Sequence, residues 1–410
     1  MSTAMSDPRR VRRATVKQDR IVRALRQQIV SGQLKPHSQL PNQAELVRRF
    51  QVSSVTIQKS LERLARDGFV VSHPRQGVYV GAHPPHLVDY CLIFPHDTAK
   101  MAHINRFLFS LSQIAAGLSA ESQRRTSIYV GIESPTDTPP YRQLVNQVER
   151  QCAAGIIFLS RPQAFVGTPL LADDGIPRVA IMAEPTIPGV VAVQIDGFIG
   201  EAMDWLKEQG RRRISMICTP QMPEEEVHSW MQSAQVRGMA LPRHCVLAAP
   251  MDAPHWAQHA VRALMELPPA QRPDGLVIAN DNLVPQATAG LLSGGINVPR
   301  DCSVVAHGNF PWATDSLVPA RRFGPDTRRV LAACLEVIDA TRRGQDVPER
   351  IVVPVTSDVL FAAQDAADTP FRFHSSVSAG HTGNGGSGGS GGSGASGVSG
   401  VSGSSGGTRR

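Results

Sequence analysis

From Val88 to Val355 the chain alternates short apolar runs with helix-length amphipathic segments, and this restricts the possible folds more than any other feature. Strands are expected at Val88–Phe94, Ser127–Gly131, Gly155–Leu159, Arg178–Met182, Val191–Gln194, Ile214–Cys218, Gly275–Ala279, Ser303–Ala306 and Ile351–Val355. Between them helices are expected near Asn105–Gln123, Pro140–Gln151, Phe198–Gln209, Ala257–Met265, Leu283–Leu292 and Thr327–Thr341. Strands that alternate with helices pair in parallel beneath helices on both faces. The span is too long for one such sheet, so the expected fold class is α/β, doubly wound, with two lobes.

Charge separates this body from what precedes it. Residues 1–80 hold 15 Lys+Arg against 5 Asp+Glu, and the other 330 residues hold 27 against 30. A basic head on a near-neutral body suits contact with nucleic-acid phosphates, though charge alone equally fits a solvated basic tail. No apolar run reaches the ~18 residues a membrane-spanning helix needs, and the start, MSTAMSDPRRVRR, is polar, so a cytoplasmic protein with no membrane partner is expected. Cys91, Cys152, Cys218, Cys245, Cys302 and Cys334 stand singly, without metal-ligand spacing, and are read as reduced thiols with no metal site.

The head has its own pattern. Residues 1–15 are Arg-rich and expected to be a disordered basic arm, and a first helix is expected over Lys17–Ser31, with Ile21, Val22, Leu25, Ile29 and Val30 on one face. Asn42 with Glu45 three residues on forms a capping box before a second helix, and Ser53 caps a third whose buried stripe is read as Val55, Ile57, Leu61 and Leu64. Two helices joined so closely form a helix-turn-helix. Phe69–Val71 and Val78–Val80 then switch to period two around His73–Gly77, a hairpin wing. DNA contacts are expected from Asn42, Gln43, Ser53, Ser54, Thr56, Gln58, Lys59, Arg63, Arg75 and Gly77, the third helix lying in the major groove; a solvated surface is the plainer alternative for each.

The run SGQLKPHSQLPNQAELVRRFQVSSVTIQKSLERLARDGFVV, followed by RQGVYV, resembles the winged helix-turn-helix domain of the GntR family of bacterial transcription regulators. The resemblance spans about Lys17 to Val80 and implies binding to double-stranded DNA. The family's usual acidic residue after the second helix cap is Gln43 here, and two usual arginines are Ser54 and Gln58, so no particular operator follows.

In the body, AVQIDGFIGEAMDWLKEQGRRRISMI, PDGLVIANDN and GGINVPRDCSVVAHGN resemble the effector domain of the LacI/GalR family, which has the type I periplasmic-binding-protein-like fold. The joint arrangement resembles arabinose-repressor-like regulators. It implies a ligand between two lobes, a small-molecule effector of carbohydrate type, and a homodimer on an inverted-repeat operator. Asn280, Asp281 and Asn309 fall at or beside family ligand contacts. The arginine that often clamps a sugar would fall near Glu226, and an acidic contact falls on Gly308. Trp230 is read as a stacking platform or a core aromatic, and Asp97 as a cleft-facing or merely solvated carboxylate.

The domains expected are an arm at 1–15, a winged helix-turn-helix at 16–81, a linker at 82–87, a two-lobed sensor at 88–365 and a Gly/Ser-rich disordered tail at 366–410. GntR-type heads are also found fused to aminotransferase-like domains, which need a Schiff-base lysine. Beyond residue 86 only Lys100 and Lys207 occur, and neither stands in a persuasive site, so no cofactor, no catalytic residues and no enzyme are expected. The remaining alternative is a DNA-binding regulator whose body only dimerises and binds no ligand.

Overall fold

A computed structural model describes residues 8–96, 105–121, 123–159, 161–172, 174–181 and 187–367 of the chain. The head contains α1 (Pro8–Val30), α2 (Gln43–Phe50) and α3 (Ser54–Arg66), then a wing of β1 (Val70–His73) and β2 (Gly77–Val80). The Asn42 side chain accepts from the Glu45 amide and Glu45 accepts from the Asn42 amide, each at 2.9 Å, while Ser53 accepts from the Thr56 amide at 3.3 Å. Both caps satisfy amides that the first helical turn leaves without partners. Ile21, Leu25, Ile29, Leu46, Ile57, Leu64, Phe69 and Val80 close the core of the head.

Two expectations for the head need correction. Helix α1 begins at Pro8, not Lys17, so most of the anticipated arm is helical, and residues 1–7 lie outside the described residues. Val55 is 58% exposed and does not belong to the buried stripe. It precedes Ile57 by two residues, about 200° around the helix.

The expected linker is built into the structure. Gly81 and Pro84–His86 are buried, and α4 (Pro85–Val88) forms a single turn against the head. His86 stacks on Phe69 at 5.7 Å, and Cys152 of the first lobe joins the core of the head.

The body follows as β3 (Asp89–Ile93), α5 (Arg106–Glu121), β4 (Arg125–Tyr129), α6 (Pro139–Glu149), β5 (Gly155–Phe158), β6 (Arg178–Ile181) and β7 (Val190–Asp196). Next come α7 (Phe198–Glu208), β8 (Ile214–Cys218), α8 (Glu224–Val236), β9 (Val246–Ala248), α9 (His255–Met265), β10 (Gly275–Ile278), α10 (Val284–Ser293), β11 (Ser303–His307) and β12 (Arg321–Gly324). The chain continues through α11 (Thr327–Arg342), β13 (Arg350–Pro354), β14 (Thr356–Ser357) and α12 (Asp358–Ala367). The tail from residue 368 lies outside the described residues.

Two six-stranded sheets result. One runs β13-β7-β6-β5-β3-β4 and is parallel throughout; the other runs β14-β12-β11-β10-β8-β9, with only the β12–β14 pair antiparallel. Two separate apolar clusters pack on the first sheet, and a single continuous cluster packs around the second. The chain crosses between the lobes after β7, after β12 and between β13 and β14. Every expected strand and helix of the body is present, with ends shifted by a few residues, whereas β9, β12, β14, α8 and α12 were not anticipated.

Candidate ligand cavity and DNA-facing surface

A cavity of about 600 Å3 opens where the two lobes meet. Each crossing contributes to its wall: Asp196 and Gly197 from the first, Pro325 from the second and Val355 from the third. The crossings are tied together, since the Val355 amide donates to the Asp196 carbonyl at 3.0 Å. Asn105 and Phe107 enter from the first lobe; Thr219, Glu226, Trp230, Asn280 and His307 enter from the second. This is where a doubly wound sheet offers a ligand site, at the carboxyl ends of parallel strands.

Five of the six sequence-derived ligand candidates come together here: Glu226, Trp230, Asn280, Asp281 and Asn309 all line the cavity. Asp97 lies outside the described residues. The five have different roles in the structure. Asp281 is 1% exposed and holds the loop after β11: its carboxylate accepts from the Asn309 amide at 3.0 Å, Asn309 Nδ2 at 3.1 Å, the Thr314 amide at 3.0 Å and the Thr314 hydroxyl. Its lone pairs are committed to protein donors, so it shapes the wall. Asn309 is buried with it. Asn280 accepts from the Asn282 amide at 2.9 Å, and Asn282 Oδ1 accepts from the Arg106 amide at 3.2 Å, a bond that joins the lobes. Trp230 is 5% exposed and shared between the second-lobe core and the cavity wall.

An acidic side chain in place of Gly308 would need Ala313 to give way by a few tenths of an ångström. A Cβ on Gly308 meets Ala313 at 3.1 Å and Phe310 at 3.6 Å, and a Cβ on Gly324 would run into the Gly308 carbonyl oxygen. The polar groups on the wall that sequence reasoning missed include His307, Asp196 and Thr219. Burial holds the His307 imidazole below its ordinary value, against the pull of the Asp281 carboxylate, so the ring is neutral at pH 7. Its Nδ1 is enclosed with no hydrogen-bond partner among the described residues. Burial also raises the Glu226 carboxyl.

The DNA-facing candidates divide as well. Ser54, Gln58, Lys59 and Arg75 are exposed on α3 and at the wing tip, with Val55 among them. Gln43 is exposed too and donates to the Ser54 carbonyl at 3.1 Å, fixing the start of α2 against the start of α3. Asn42, Ser53 and Thr56 are engaged in capping, the last two through a 2.9 Å hydroxyl contact. Gly77 serves the wing turn, with φ +116° and a Cβ position only 2.8 Å from Gln39 Nε2. Arg63 departs from the expectation of a free cation: it is turned to α1 and paired with Asp19 at 2.5 Å.

Comparison with known proteins finds relatives of both the head and the body. The family described as bacterial regulatory proteins, gntR family, matches residues 17–80, and the periplasmic binding protein-like domain matches residues 203–359. An arabinose metabolism transcriptional repressor from Geobacillus stearothermophilus is 24% identical over 355 residues, which is 81% of this chain and 95% of that protein. A LacI-family regulatory protein from Chloroflexus aggregans superposes with a TM-score of 0.52 at 17% identity, over 66% of this chain and 96% of its own. A LacI-family transcriptional regulator from Lactobacillus casei with bound sucrose gives 0.50 at 17% identity, over 66% of this chain and 98% of its own. The chain thus joins a gntR-type winged helix-turn-helix domain to a two-lobed periplasmic-binding-protein-like domain.

Proposed function

We propose that this protein is a cytoplasmic, homodimeric transcriptional repressor whose affinity for a two-fold operator is set by a carbohydrate or related polyol held between the lobes. The observation that carries this reading is the composition of the cavity wall: all three lobe crossings and both lobes contribute residues to one space. A ligand there touches the parts that must move for the lobes to change angle. It shifts DNA affinity to the extent that it prefers one lobe arrangement. The named role of the Geobacillus relative and the sucrose in the Lactobacillus structure support the ligand class. Two-fold symmetric operators call for two-fold proteins, which is the basis for the dimer.

Ser54, Val55, Gln58 and Lys59 would face base edges, with Arg75 and Gln43 at the flanks. The test is fluorescence anisotropy with duplexes from the region upstream of the protein's own gene, titrated from low to physiological salt with and without pentoses and hexoses. Salt-sensitive binding that at least one sugar shifts is expected. Binding indifferent to every sugar leaves a body that only dimerises, and no binding at low salt overturns the reading.

A further inference from the structure

The charges on the cavity wall point to a narrower ligand class than a carbohydrate in general. Asp196, Glu226 and Asp281 line the space, and no lysine or arginine does so among the described residues. Asp281 is occupied by its loop and has Arg322 at 3.9 Å behind it, which leaves Asp196 and Glu226 facing the ligand volume. Glu226 has no ion-pair partner among the described residues; its neighbour Glu224 takes Arg243 at 2.8 Å.

Two helices also begin at this wall. An anionic ligand would ordinarily settle against the exposed amides and positive dipole end of a helix N-terminus. Here both ends already carry a carboxylate of the wall: Asp196 Oδ1 accepts from the Gly197 amide at 2.6 Å before α7, and Glu226 stands in the first turn of α8.

The rest of the wall suits hydroxyl groups. A carboxylate can only accept, and each hydroxyl of a polyol can donate to it. Thr219, Ser229 and Asn280 both donate and accept. A phosphate dianion or carboxylate on the ligand has no proton to give and meets no cation among the described residues of the wall.

On the reading of the cavity as a sensor site, we propose that it selects uncharged polyhydroxy compounds and rejects their phosphate esters and sugar acids, with Glu226 setting the discrimination. The experiment is isothermal titration of the full-length protein with L-arabinose, D-ribose, D-xylose, D-glucose and D-galactose, with the 5- or 6-phosphate of each and with glucuronate and galacturonate. At least one neutral sugar is expected to bind, at least a hundredfold more tightly than its own phosphate. Glu226→Gln, which keeps the shape and removes the charge, is expected to narrow that gap to under tenfold. Glu225→Gln, one residue away and outside the wall, is expected to leave it unchanged. A phosphate ester or acid that binds the wild type as tightly as its parent sugar overturns the inference while leaving the sensor reading standing. So does an unchanged gap in Glu226→Gln. Absence of binding by any compound, neutral or anionic, overturns the sensor reading and this inference with it.

Discussion

Arg150 at the end of α6 places Nη1 3.5 Å from Oδ1 of Asp67, the residue that caps the C-terminus of α3. The other carboxylate oxygen of Asp67 takes Arg26 of α1 at 2.6 Å, and the Arg26 guanidinium lies over the Phe69 ring at 5.2 Å. One side chain therefore joins the first lobe, α1 and the end of α3. Asp67→Ala strands Arg26, which burial already disfavours in its charged form, and is expected to cost about 3 kcal/mol in urea unfolding. Arg150→Ala removes a half-exposed partner and is expected to cost less than about 1 kcal/mol. It should nevertheless shrink the change in DNA affinity that ligand produces. Equal stability losses in the two variants would show that the Arg26 contact is not the stronger one.

Asp281 makes a separate test of how the cavity wall is held. Its carboxylate accepts from backbone amides on both sides, at Asn309 and at Thr314. Asp281→Asn keeps the volume but turns an NH2 group toward one of these donors. That leaves a buried amide unpaired, a loss of roughly 1–3 kcal/mol. The expected result is a lower urea midpoint together with weakened sugar binding by titration. Unchanged stability would mean that the loop at 308–314 is held by other contacts.

Val55 predicts a feature of the operator. Val55 is exposed in the first turn of α3, and if α3 enters the major groove as proposed, this apolar β-branched side chain fits against a thymine methyl group better than against a hydrogen-bonding base edge. Val55→Ala should change stability by less than about 0.5 kcal/mol, because the side chain is largely in solvent. Replacing thymine by uracil at successive operator positions should weaken wild-type binding at one position per half-site and leave Val55→Ala binding indifferent there. Uniform tolerance of uracil by the wild type would remove Val55 from base reading.

What could be read from the sequence follows the range of the interactions involved. The caps at Asn42 and Ser53 and the wing turn depend on partners a few residues away, and the structure has them where the spacing predicts. Strands such as Ile214–Cys218 are buried on both faces and therefore stand out as continuous apolar runs. Strand β12 was missed because Arg321 and Arg322 mask it: one guanidinium lies over Phe323 and the other donates to the His307 carbonyl. Helix α8 buries Val227, Trp230 and Ala234, a sparse stripe in a polar stretch. Asn280, Asp281 and Asn309 were legible through family resemblance, but the structural task of Asp281 was not, since Asn309 and Thr314 lie 28 and 33 residues away. Nothing local to the sequence marks Arg63 as the partner of Asp19, or the Nδ1 of His307 as without a hydrogen-bond partner among the described residues.

The junction between head and body should respond to acid. His86 is buried against Phe69, its Nδ1 has no partner among the described residues, and burial, aided by the positive charge of Arg342, lowers its pKa to about 4. In the unfolded chain the same ring titrates near ~6.5. Between these values the unfolded state takes up a proton that the folded state refuses, so stability is full above about pH 6.5 and falls as the pH drops toward 4. For His86 alone the loss by pH 5 is about 2 kcal/mol, and His307, lowered in the same direction, adds to it. Urea unfolding at pH 7.5 and pH 5.0 measures the fall. His86→Gln, which cannot be protonated, should unfold with a visibly shallower pH dependence over this window, above the range where ordinary carboxylates titrate. A fall as steep in His86→Gln as in the wild type would assign the acid sensitivity to other groups, with His307→Gln the next variant to measure.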